Sequence, residues 1–302
     1  MSSLQDHRIR YFFEAVRLGS VRAAADFLDV APSAVSRQIS QLEHELATSL
    51  LERHRRGVRP TESGERVLAY YRQRLAQQEL LMDSLQSLRG LHSGSITLAA
   101  GEGFIEDLVV PLTSFSLAYP KIELKVNVCG SNEVIRQVVE DEAHIGLVFN
   151  PASDPKIRSL AHHPQPVCAI VNPEHPLAIH QASVSLADLD QYRLALPEVS
   201  YGIRQIVTQA EHQQGISLAP TLTCNTIAML RRYALLGGVA LLPTFVVADD
   251  IRCKELVALS LQNAVFASTQ THLITRLGRQ LSIGANRLLN QMLAEMTAFQ
   301  PH

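Results

Sequence analysis

The sequence predicts an α/β chain whose N-terminal part is an all-α-rich winged helix-turn-helix, followed by a long linker helix and a C-terminal domain of two α/β lobes. Three observations predict this order. Apolar residues recur at helical spacing in short N-terminal segments, a long segment without proline follows, and strand-like and helix-like runs then alternate. We place the winged domain at residues 1–60, the linker helix at 61–92 and the C-terminal domain at 93–302.

The composition is that of a folded, water-soluble protein. Of the 302 residues, 46% are hydrophobic and 19% are charged, which excludes a disordered chain. No apolar run reaches about 18 residues, the length that indicates a transmembrane helix. Residues 1–11 lack the apolar region of a secretory signal, so we expect the protein in the cytoplasm.

Three short helices are predicted near the N-terminus, each with apolar residues spaced by three and four positions. Ser20 is a favourable N-cap for the second helix, and Pro32 is a favourable first residue for the third. The tight connection at residues 29–31 makes the second and third helices a helix-turn-helix. The apolar positions are Ile9, Phe12, Phe13, Val16, Val21, Ala24, Ala25, Leu28, Val35, Ile39, Leu42 and Leu46.

The start of the third helix carries small and hydrogen-bonding side chains away from its apolar face. Arginine can pair with O6 and N7 of guanine, glutamine with N6 and N7 of adenine, and serine with a phosphate or a base. Any one of these residues alone is more typical of a solvated face, but the set in a three-helix pattern favours DNA contact. The predicted contact residues are Pro32, Ser33, Ser36, Arg37 and Gln38.

A basic patch follows the third helix, although the net charge of the chain is −2. Residues 53–59 contain four arginines and no acidic residue. Gly57 and Pro60 interrupt helix formation and Val58 can pair in a hairpin, so we predict a wing that contacts phosphates or the narrow minor groove. The predicted wing contacts are Arg53, Arg55 and Arg56.

The residues of this region resemble the DNA-binding signature of LysR-type transcriptional regulators. The resemblance extends from about residue 4 to residue 66 and is carried by APSAVSRQISQLE at 31–43, LLER at 50–53 and RGVRPTESG at 56–64. It implies that Ser33, Ser36 and Arg37 lie in the major groove and that Arg56 is the best candidate for the minor groove. One departure is Leu51, where the family usually has phenylalanine; we expect it to fill the core.

A long helix is predicted after Thr61, because no proline occurs up to about residue 91. Thr61 can cap this helix. The resemblance implies a linker helix that pairs antiparallel in a dimer, while packing of the apolar stripe on its own chain is the alternative. The a and d positions of the stripe, which Gln78 interrupts, are Leu68, Tyr71, Leu75, Met82 and Leu85.

Alternating strands and helices after residue 95 indicate a largely parallel sheet, and prolines at 151–155 and 164–166 mark a crossing into a second series. Two lobes connected in this way resemble periplasmic binding proteins, in agreement with the effector domain of the LysR family. We assign residues 93–160 and 266–302 to the first lobe, the late segment by analogy, and 161–265 to the second. The predicted strands are at 95–100, 122–129, 145–149, 167–171, 194–196, 222–224, 239–242 and 272–275.

Ligands of open α/β sheets bind beyond the carboxyl ends of strands, which predicts an effector site there. Family sensors often have serine or threonine in the first of these loops, whereas this chain has Glu102 and Phe104. A carboxylate at that position disfavours a simple anion, so our hypothesis is an effector with an amine or another hydrogen-bond donor; the alternative is that Glu102 faces solvent and Phe104 lies in the core. The predicted effector contacts are Glu102, Gly103, Phe104, Ser131, Phe149, Asn150, Ser200, Tyr201 and Thr226.

No motif of an enzyme, a metal site or a cofactor site is recognisable. Neither a G-x-S-x-G turn nor a P-loop occurs, and the histidines between 162 and 180 lack H-E-x-x-H spacing. Four scattered cysteines without C-x-x-C spacing are expected to be ordinary buried thiols; they are Cys129, Cys168, Cys224 and Cys253.

The sequence therefore predicts a transcriptional regulator whose binding to promoter DNA changes with a small-molecule effector. The alternative is a redox- or ligand-independent architectural repressor. The expected partners are double-stranded DNA, an effector of unknown identity, and further copies of the chain in a homodimer or homotetramer. The resemblance also makes RNA polymerase a candidate partner, and no cofactor is expected.

Overall fold

The computed structural model describes residues 6–54, 57–88, 93–180 and 183–300. The chain forms two compact units that divide between Leu81 and Met82. Within the described residues, no helix combines the length and the apolar character needed to cross a membrane.

The first unit contains the three predicted helices, the hairpin and most of the long helix. Its elements are α1 (Asp6–Arg17), α2 (Val21–Leu28), α3 (Pro32–Leu46), β1 (Leu51–His54), β2 (Gly57–Pro60) and α4 (Glu62–Leu88). Ser20 Oγ accepts a hydrogen bond from the amide of Ala23, and Thr61 Oγ1 accepts one from Gly64, so both predicted caps are confirmed. Pro32 is the first residue of α3, where an amide would have no helical partner.

An apolar core joins α1, α2 and α3 to the start of α4. Ala24 and Ala25 are fully buried, and their small side chains let α2 approach α3 closely. Leu51 is buried as well, which confirms that leucine fills the core at this position. The fully or almost fully buried members of the predicted stripes are Ile9, Phe12, Val35, Ile39 and Leu42.

α4 has 27 residues and is about 40 Å long at 1.5 Å per residue. Leu68 and Tyr71 are buried in the core of the first unit. In contrast, 41% of Leu75, 52% of Met82 and 46% of Leu85 is exposed. The predicted stripe is therefore divided: its first part packs on its own chain, and the rest is an exposed apolar surface.

The second unit alternates strands and helices. In chain order its elements are β3 (Gly94–Ala100), α5 (Ile105–Ala118), β4 (Ile122–Val128), α6 (Ser131–Val139), β5 (Ile145–Phe149), β6 (Ile157–Pro164), β7 (Val167–Val171), α7 (Pro176–His180), β8 (Ser183–Val184), α8 (Leu186–Leu189), β9 (Leu194–Pro197), α9 (Gly202–Gln214), β10 (Leu222–Cys224), α10 (Ile227–Leu235), β11 (Val239–Pro243), α11 (Ala248–Arg252), β12 (Val257–Leu261), α12 (Ala264–Ala267), β13 (Gln270–Arg276) and α13 (Ile283–Glu295). Short 3-10 turns lie at Glu102–Phe104, Thr244–Val247 and Thr297–Phe299.

These strands form two sheets, one in each lobe. The first sheet has the order β4-β3-β5-β13-β6, in which β4, β3 and β5 are parallel and β13 is antiparallel to both of its neighbours. The second has the order β10-β9-β11-β7-β12-β8, in which β10, β9 and β11 are parallel. The predicted parallel α/β architecture is confirmed, with antiparallel strands inserted where the chain changes lobes.

The chain crosses between the sheets at Gln165, after β6, and again at Thr269, before β13. Both residues are fully buried. The amide of Gln165 donates to the carbonyl of Thr269 at 2.9 Å, and Thr269 Oγ1 donates to the carbonyl of Gln165 at 2.6 Å. The crossing predicted at residues 164–166 is thus confirmed, whereas 151–155 connects two strands of the same sheet.

The sequence does not predict strand β6. Its eight residues carry the histidines at 162 and 163 and end at Pro164. Among the strands of the described residues, β6 pairs only with β13 and lies at the edge of the sheet. At an edge, a terminal proline removes no essential ladder hydrogen bond. The expected lobe boundary at 160/161 falls inside this strand, and the division of the chain into lobes stays a prediction.

Candidate functional site

The exposed face at the start of α3 consists of the residues predicted from the sequence. Pro32, Ser33 and Arg37 are exposed, while Ser36 and Gln38 are half-buried. Among the described residues, Arg37 makes no ion pair within the chain. Its guanidinium is therefore available to an external anion or acceptor.

Gln38 has partners within the chain that the sequence does not reveal. Its Oε1 accepts hydrogen bonds from Arg8 Nε and from the ring of His7, both at 3.2 Å. Arg8 also pairs with Glu45 near the end of α3. α1 thus holds α3 along its length, and the side-chain NH₂ of Gln38 remains the group that can donate to an external acceptor.

The β1–β2 hairpin is fixed against the turn between α1 and α2. The amide of Val58 donates to the carbonyl of Gly19 at 3.0 Å. Gly57 has φ +130°, and a Cβ at that position would overlap the same carbonyl, so only glycine fits. The hairpin therefore has a defined position on the turn between α1 and α2.

The described arginines of the hairpin are exposed. Arg53 on β1 and Arg59 on β2 make no ion pair among the described residues, whereas His54 contacts Glu52 at 3.3 Å. Arg55 and Arg56, predicted as wing contacts, lie outside the described residues. The candidate nucleic-acid interface is therefore the surface formed by the start of α3 and the exposed arginines of β1 and β2, where a phosphate backbone would find positive charge.

The second candidate site is a cleft between the lobes. It leaves a cavity of about 30 Å³, enough for a water molecule or two. The lining residues of one lobe come from the turn after β3, from the region after β4 up to the start of α6, and from the end of β5. Those of the other lobe come from the starts of α9 and α10, the end of β11 and the turn after it. This placement beyond the carboxyl ends of strands is the one that the topology predicts.

Most of the predicted effector contacts lie in this cleft. Asn150 and Ser200 are not among its lining residues: the amide of Asn150 donates to Gln270 at 2.8 Å, and Ser200 is exposed. Thr226 does not line the cleft either, but its hydroxyl donates a hydrogen bond to Glu102, which does. The lining residues that were predicted are Glu102, Gly103, Phe104, Ser131, Phe149 and Tyr201.

The floor of the cleft is aromatic. Phe104 is 1% exposed and packs on Phe245, with ring centroids 5.1 Å apart. Phe149 lies 6.5 Å from the same ring. Phe245 and Val246 also line the cleft and were not predicted. Both follow strand β11, so the rule that ligands lie beyond strand ends applies to them as well.

Glu102 is half-buried, and its carboxylate is directed to the other lobe. Its Oε1 accepts from Thr226 Oγ1 at 2.6 Å and from the amide of Ala228 at 3.2 Å, and its Oε2 accepts from the amide of Ile227 at 2.8 Å. Because protein donors surround both oxygens, the hypothesis of an amine-bearing effector bound to Glu102 loses its basis. The alternative expectation was that Phe104 lies in the core and Glu102 faces solvent. Its first half is confirmed and its second half is wrong.

Tyr201 closes one side of the cleft. Its hydroxyl donates to the carbonyl of Asn225 at 2.5 Å and lies 3.4 Å from Glu102 Oε2. Burial first, and then the negative charge of Glu102, raise the pKa of Tyr201 to about 12. The phenol is therefore neutral near pH 7 and acts as a hydrogen-bond donor.

Cys129 lines the same cavity as a protonated thiol. Burial, with a smaller effect of the charge of Glu133, raises its pKa to about 11. A thiol with a raised pKa is a poor nucleophile near neutral pH. The expectation of four buried thiols is wrong, because Cys168 is buried but Cys129 and Cys224 are partly buried and Cys253 is exposed. Within the described part of the chain, no group of three or more histidine, cysteine or acidic side chains is placed to hold a metal ion.

Close packing between the lobes depends on Gly202, the first residue of α9. A Cβ at this position would lie 2.5 Å from the carbonyl oxygen of Phe149 in the other lobe. We expect Gly202→Ala to force the lobes apart and to lower the free energy of unfolding by about 1–3 kcal/mol, the usual cost of overpacking. Urea denaturation measures this change.

Gly101→Ala is the matched control for Gly202→Ala, because its new Cβ would meet its nearest neighbour, the Phe104 ring, at an ordinary 3.6 Å. Equal stabilities of the two variants would contradict the close approach at Gly202.

Two family profiles together match most of the chain. One, described as "Bacterial regulatory helix-turn-helix protein, lysR family", matches residues 7–65. The other, described as "LysR substrate binding domain", matches residues 89–297.

Whole-chain relatives agree with both profiles. The RuBisCO operon transcriptional regulator of Allochromatium vinosum is 25% identical over 292 residues, 95% of each chain. The SDS degradation transcriptional activation protein of a Pseudomonas species is 27% identical over 95% of each chain.

Solved structures show the same fold. A full-length OxyR variant from Pseudomonas aeruginosa superposes with a TM-score of 0.68 at 18% identity and covers 100% of both chains. Full-length CbnR in complex with its target DNA superposes with a TM-score of 0.51 at 21% identity, over 97% of this chain and 99% of that one.

Proposed function

This chain belongs to the LysR family of DNA-binding transcriptional regulators with an effector-binding domain, and from that premise we propose which of its residues perform each task. α3 and the β1–β2 hairpin contact DNA, α4 joins two copies of the chain, and a small molecule in the cleft between the lobes alters the DNA contact. The observation that supports this assignment best is the exposure of Arg37, Arg53 and Arg59, which form no ion pair with any described residue.

In this proposal, DNA contact is divided between α3 and the hairpin. Ser33, Ser36 and Arg37 enter the major groove with the exposed start of α3, and Arg37 donates to base edges. Arg53, Arg55, Arg56 and Arg59 lie against phosphates or the minor groove, which fixes the position of α3. Gln38, on α3, accepts hydrogen bonds from α1 through its Oε1 and donates one to DNA through its NH₂ group.

The exposed part of α4 suits a homodimer. Leu75, Met82 and Leu85 leave apolar area in water on one side of a long helix, and a second α4 in antiparallel orientation would cover it. Such a dimer presents two winged units to a DNA site with two-fold symmetry. Two such dimers can associate further into a tetramer. If the protein activates transcription, it contacts RNA polymerase at the promoter. All of these steps take place in the cytoplasm.

The effector acts through the relative position of the lobes. A ligand that binds one arrangement of the lobes better than another shifts their equilibrium, and its effect cannot exceed that difference in affinity. The hydroxyl of Ser131 can donate to a small ligand, and the aromatic floor supplies apolar surface. The phenol oxygen of Tyr201, whose proton is donated to the carbonyl of Asn225, can accept a hydrogen bond from the ligand.

DNA binding by the purified full-length protein tests this assignment. Genomic fragments retained at low salt are sequenced, and the affinity for the enriched site is then measured by fluorescence anisotropy over a salt series. We expect a site with two related half-sites and a logarithm of affinity that falls linearly with the logarithm of salt. Absence of binding to any genomic fragment would refute the assignment.

A metabolite screen then separates effector control from the alternative of an architectural repressor. We expect at least one metabolite both to raise the melting temperature and to change the affinity for the enriched site. A ligand-independent architectural repressor would show neither change.

A further inference from the structure

The carboxylate of Glu102, in the first lobe, accepts hydrogen bonds from the second lobe across the cleft. Glu102 belongs to the 3-10 turn after β3 of the first lobe, and its three firm donors, Thr226 Oγ1 and the amides of Ile227 and Ala228, belong to the start of α10 in the second lobe. The donors are 124 to 126 residues away in sequence. This contact therefore exists only while the lobes are closed.

The start of α10 has the properties of an anion site. α10 has nine residues, so the first amides have no partner within the helix and its dipole favours a negative charge at this end. Thr226 adds a hydroxyl at the N-cap position. A carboxylate with both oxygens bound in this way satisfies two orphan amides, and charge-assisted hydrogen bonds are about twice as strong as neutral ones.

We propose that Glu102 is a tethered ligand that occupies the anion site of α10 and holds the two lobes closed in the absence of any effector. This inference deepens the proposed effector control, on which its regulatory meaning rests. A carboxylate- or phosphate-bearing effector can use the start of α10 only by displacing Glu102. The closed cleft would then be the resting state of the protein.

A second contact between the lobes provides the matched control. Glu106, one helical turn after Glu102, accepts from Arg231 Nη1 at 2.9 Å, while the same guanidinium binds Asp250 through two hydrogen bonds at 2.5 and 2.7 Å. The Glu106 side chain is 64% exposed, so water and salt screen its pairing. Removal of Glu106 takes away a charge between the lobes and leaves the anion site of α10 filled.

Hydrogen exchange of the full-length protein, without DNA or metabolites, tests the tethered ligand. In Glu102→Ala we expect exchange of the amides of Ile227 and Ala228 to rise about tenfold or more, while the amides of strand β7 keep their protection. Acetate, which corresponds to the last methylene and the carboxylate of glutamate, should restore the protection. Sodium chloride at the same ionic strength should not.

Control variants make the result decisive. Glu106→Ala should show no response to acetate, and neither should the wild type, because Glu102 fills the site in both. Glu102→Gln, which has nearly the same shape but no charge, should lose protection and gain little from acetate because its side chain still fills the space.

Unchanged exchange in Glu102→Ala, or equal effects of acetate and chloride, would refute the tethered ligand. Either result would leave the DNA-binding assignment standing, because the experiment contains no DNA. Loss of β7 protection in Glu102→Ala would identify general unfolding. Glu102→Gln would then decide between the outcomes, since retained protection of Ile227 and Ala228 in that variant would refute the proposal.

Discussion

Replacing Met82 and Leu85 by glutamate will lower the affinity for a two-half-site operator by about 10²- to 10⁴-fold, the contribution of simultaneous binding by two linked units. Both side chains are about half exposed on α4 of the single chain. In the proposed dimer they face the same stripe of the partner, so the double variant places four carboxylates in an apolar seam. Light scattering coupled to gel filtration will report a monomer.

Anisotropy measurements separate dimer loss from damage to the DNA-binding surface. Affinity for an isolated half-site should remain that of the wild type, because Leu68 and Tyr71 still complete the core of the first unit. The control is Gln77→Glu with Ser84→Glu, which adds the same charge at exposed positions seven residues apart on another face of α4. A variant with Met82 and Leu85 replaced that remains dimeric would exclude this stripe as the seam.

Arg37→Ala will weaken binding to the specific operator by about 1–3 kcal/mol, or roughly 5- to 150-fold, while binding to scrambled DNA changes much less. Arg37 is exposed at the start of α3, and a base edge offers it two acceptors in the geometry of its fork of donors. Arg59→Ala on the hairpin should lower the affinity for both DNAs by similar factors. The slope of the logarithm of affinity against the logarithm of salt should fall by about one, the contribution of one phosphate contact. Isotherms on both DNAs over a salt series measure these differences.

Arg252→Ala is the control for charge alone, since this exposed arginine lies in the second unit and pairs with Asp249. It should leave both isotherms unchanged. If Arg37→Ala lowers the affinity for specific and scrambled DNA equally, Arg37 contacts phosphate and the selection of bases must be assigned to other residues of α3.

Local patterns predicted the first unit well, because its structure depends on neighbours in sequence. The stripes of α1 to α3, the cap at Ser20 and the proline that begins α3 are all set within a few residues. The bond from Arg8 to Gln38 joins positions 30 residues apart, and a polar side chain in a sequence gives no sign of such a partner.

The location of the cleft could be predicted from the sequence, but the hydrogen bonds within it could not. Strand ends indicated Glu102, Phe104 and Tyr201, since the topology of a parallel sheet brings them to one edge. The role of Glu102 could not be predicted, because its partners lie on the other lobe and depend on closure. Strand β6 was missed for a related reason: its pairing with β13, more than 100 residues later, replaces the local alternation of apolar residues that marks strands.

The continuity of α4 has a mechanical consequence for operator choice. One uninterrupted helix supplies Leu68 and Tyr71 to the core of the winged unit and carries the exposed stripe beyond them. A winged unit therefore cannot swivel about its end of the helix without breaking its own interior. In the proposed dimer, the spacing and the relative rotation of the winged units of the two copies are therefore fixed. Operators whose half-sites are shifted by about half a DNA turn, roughly 5 base pairs, should not be bound.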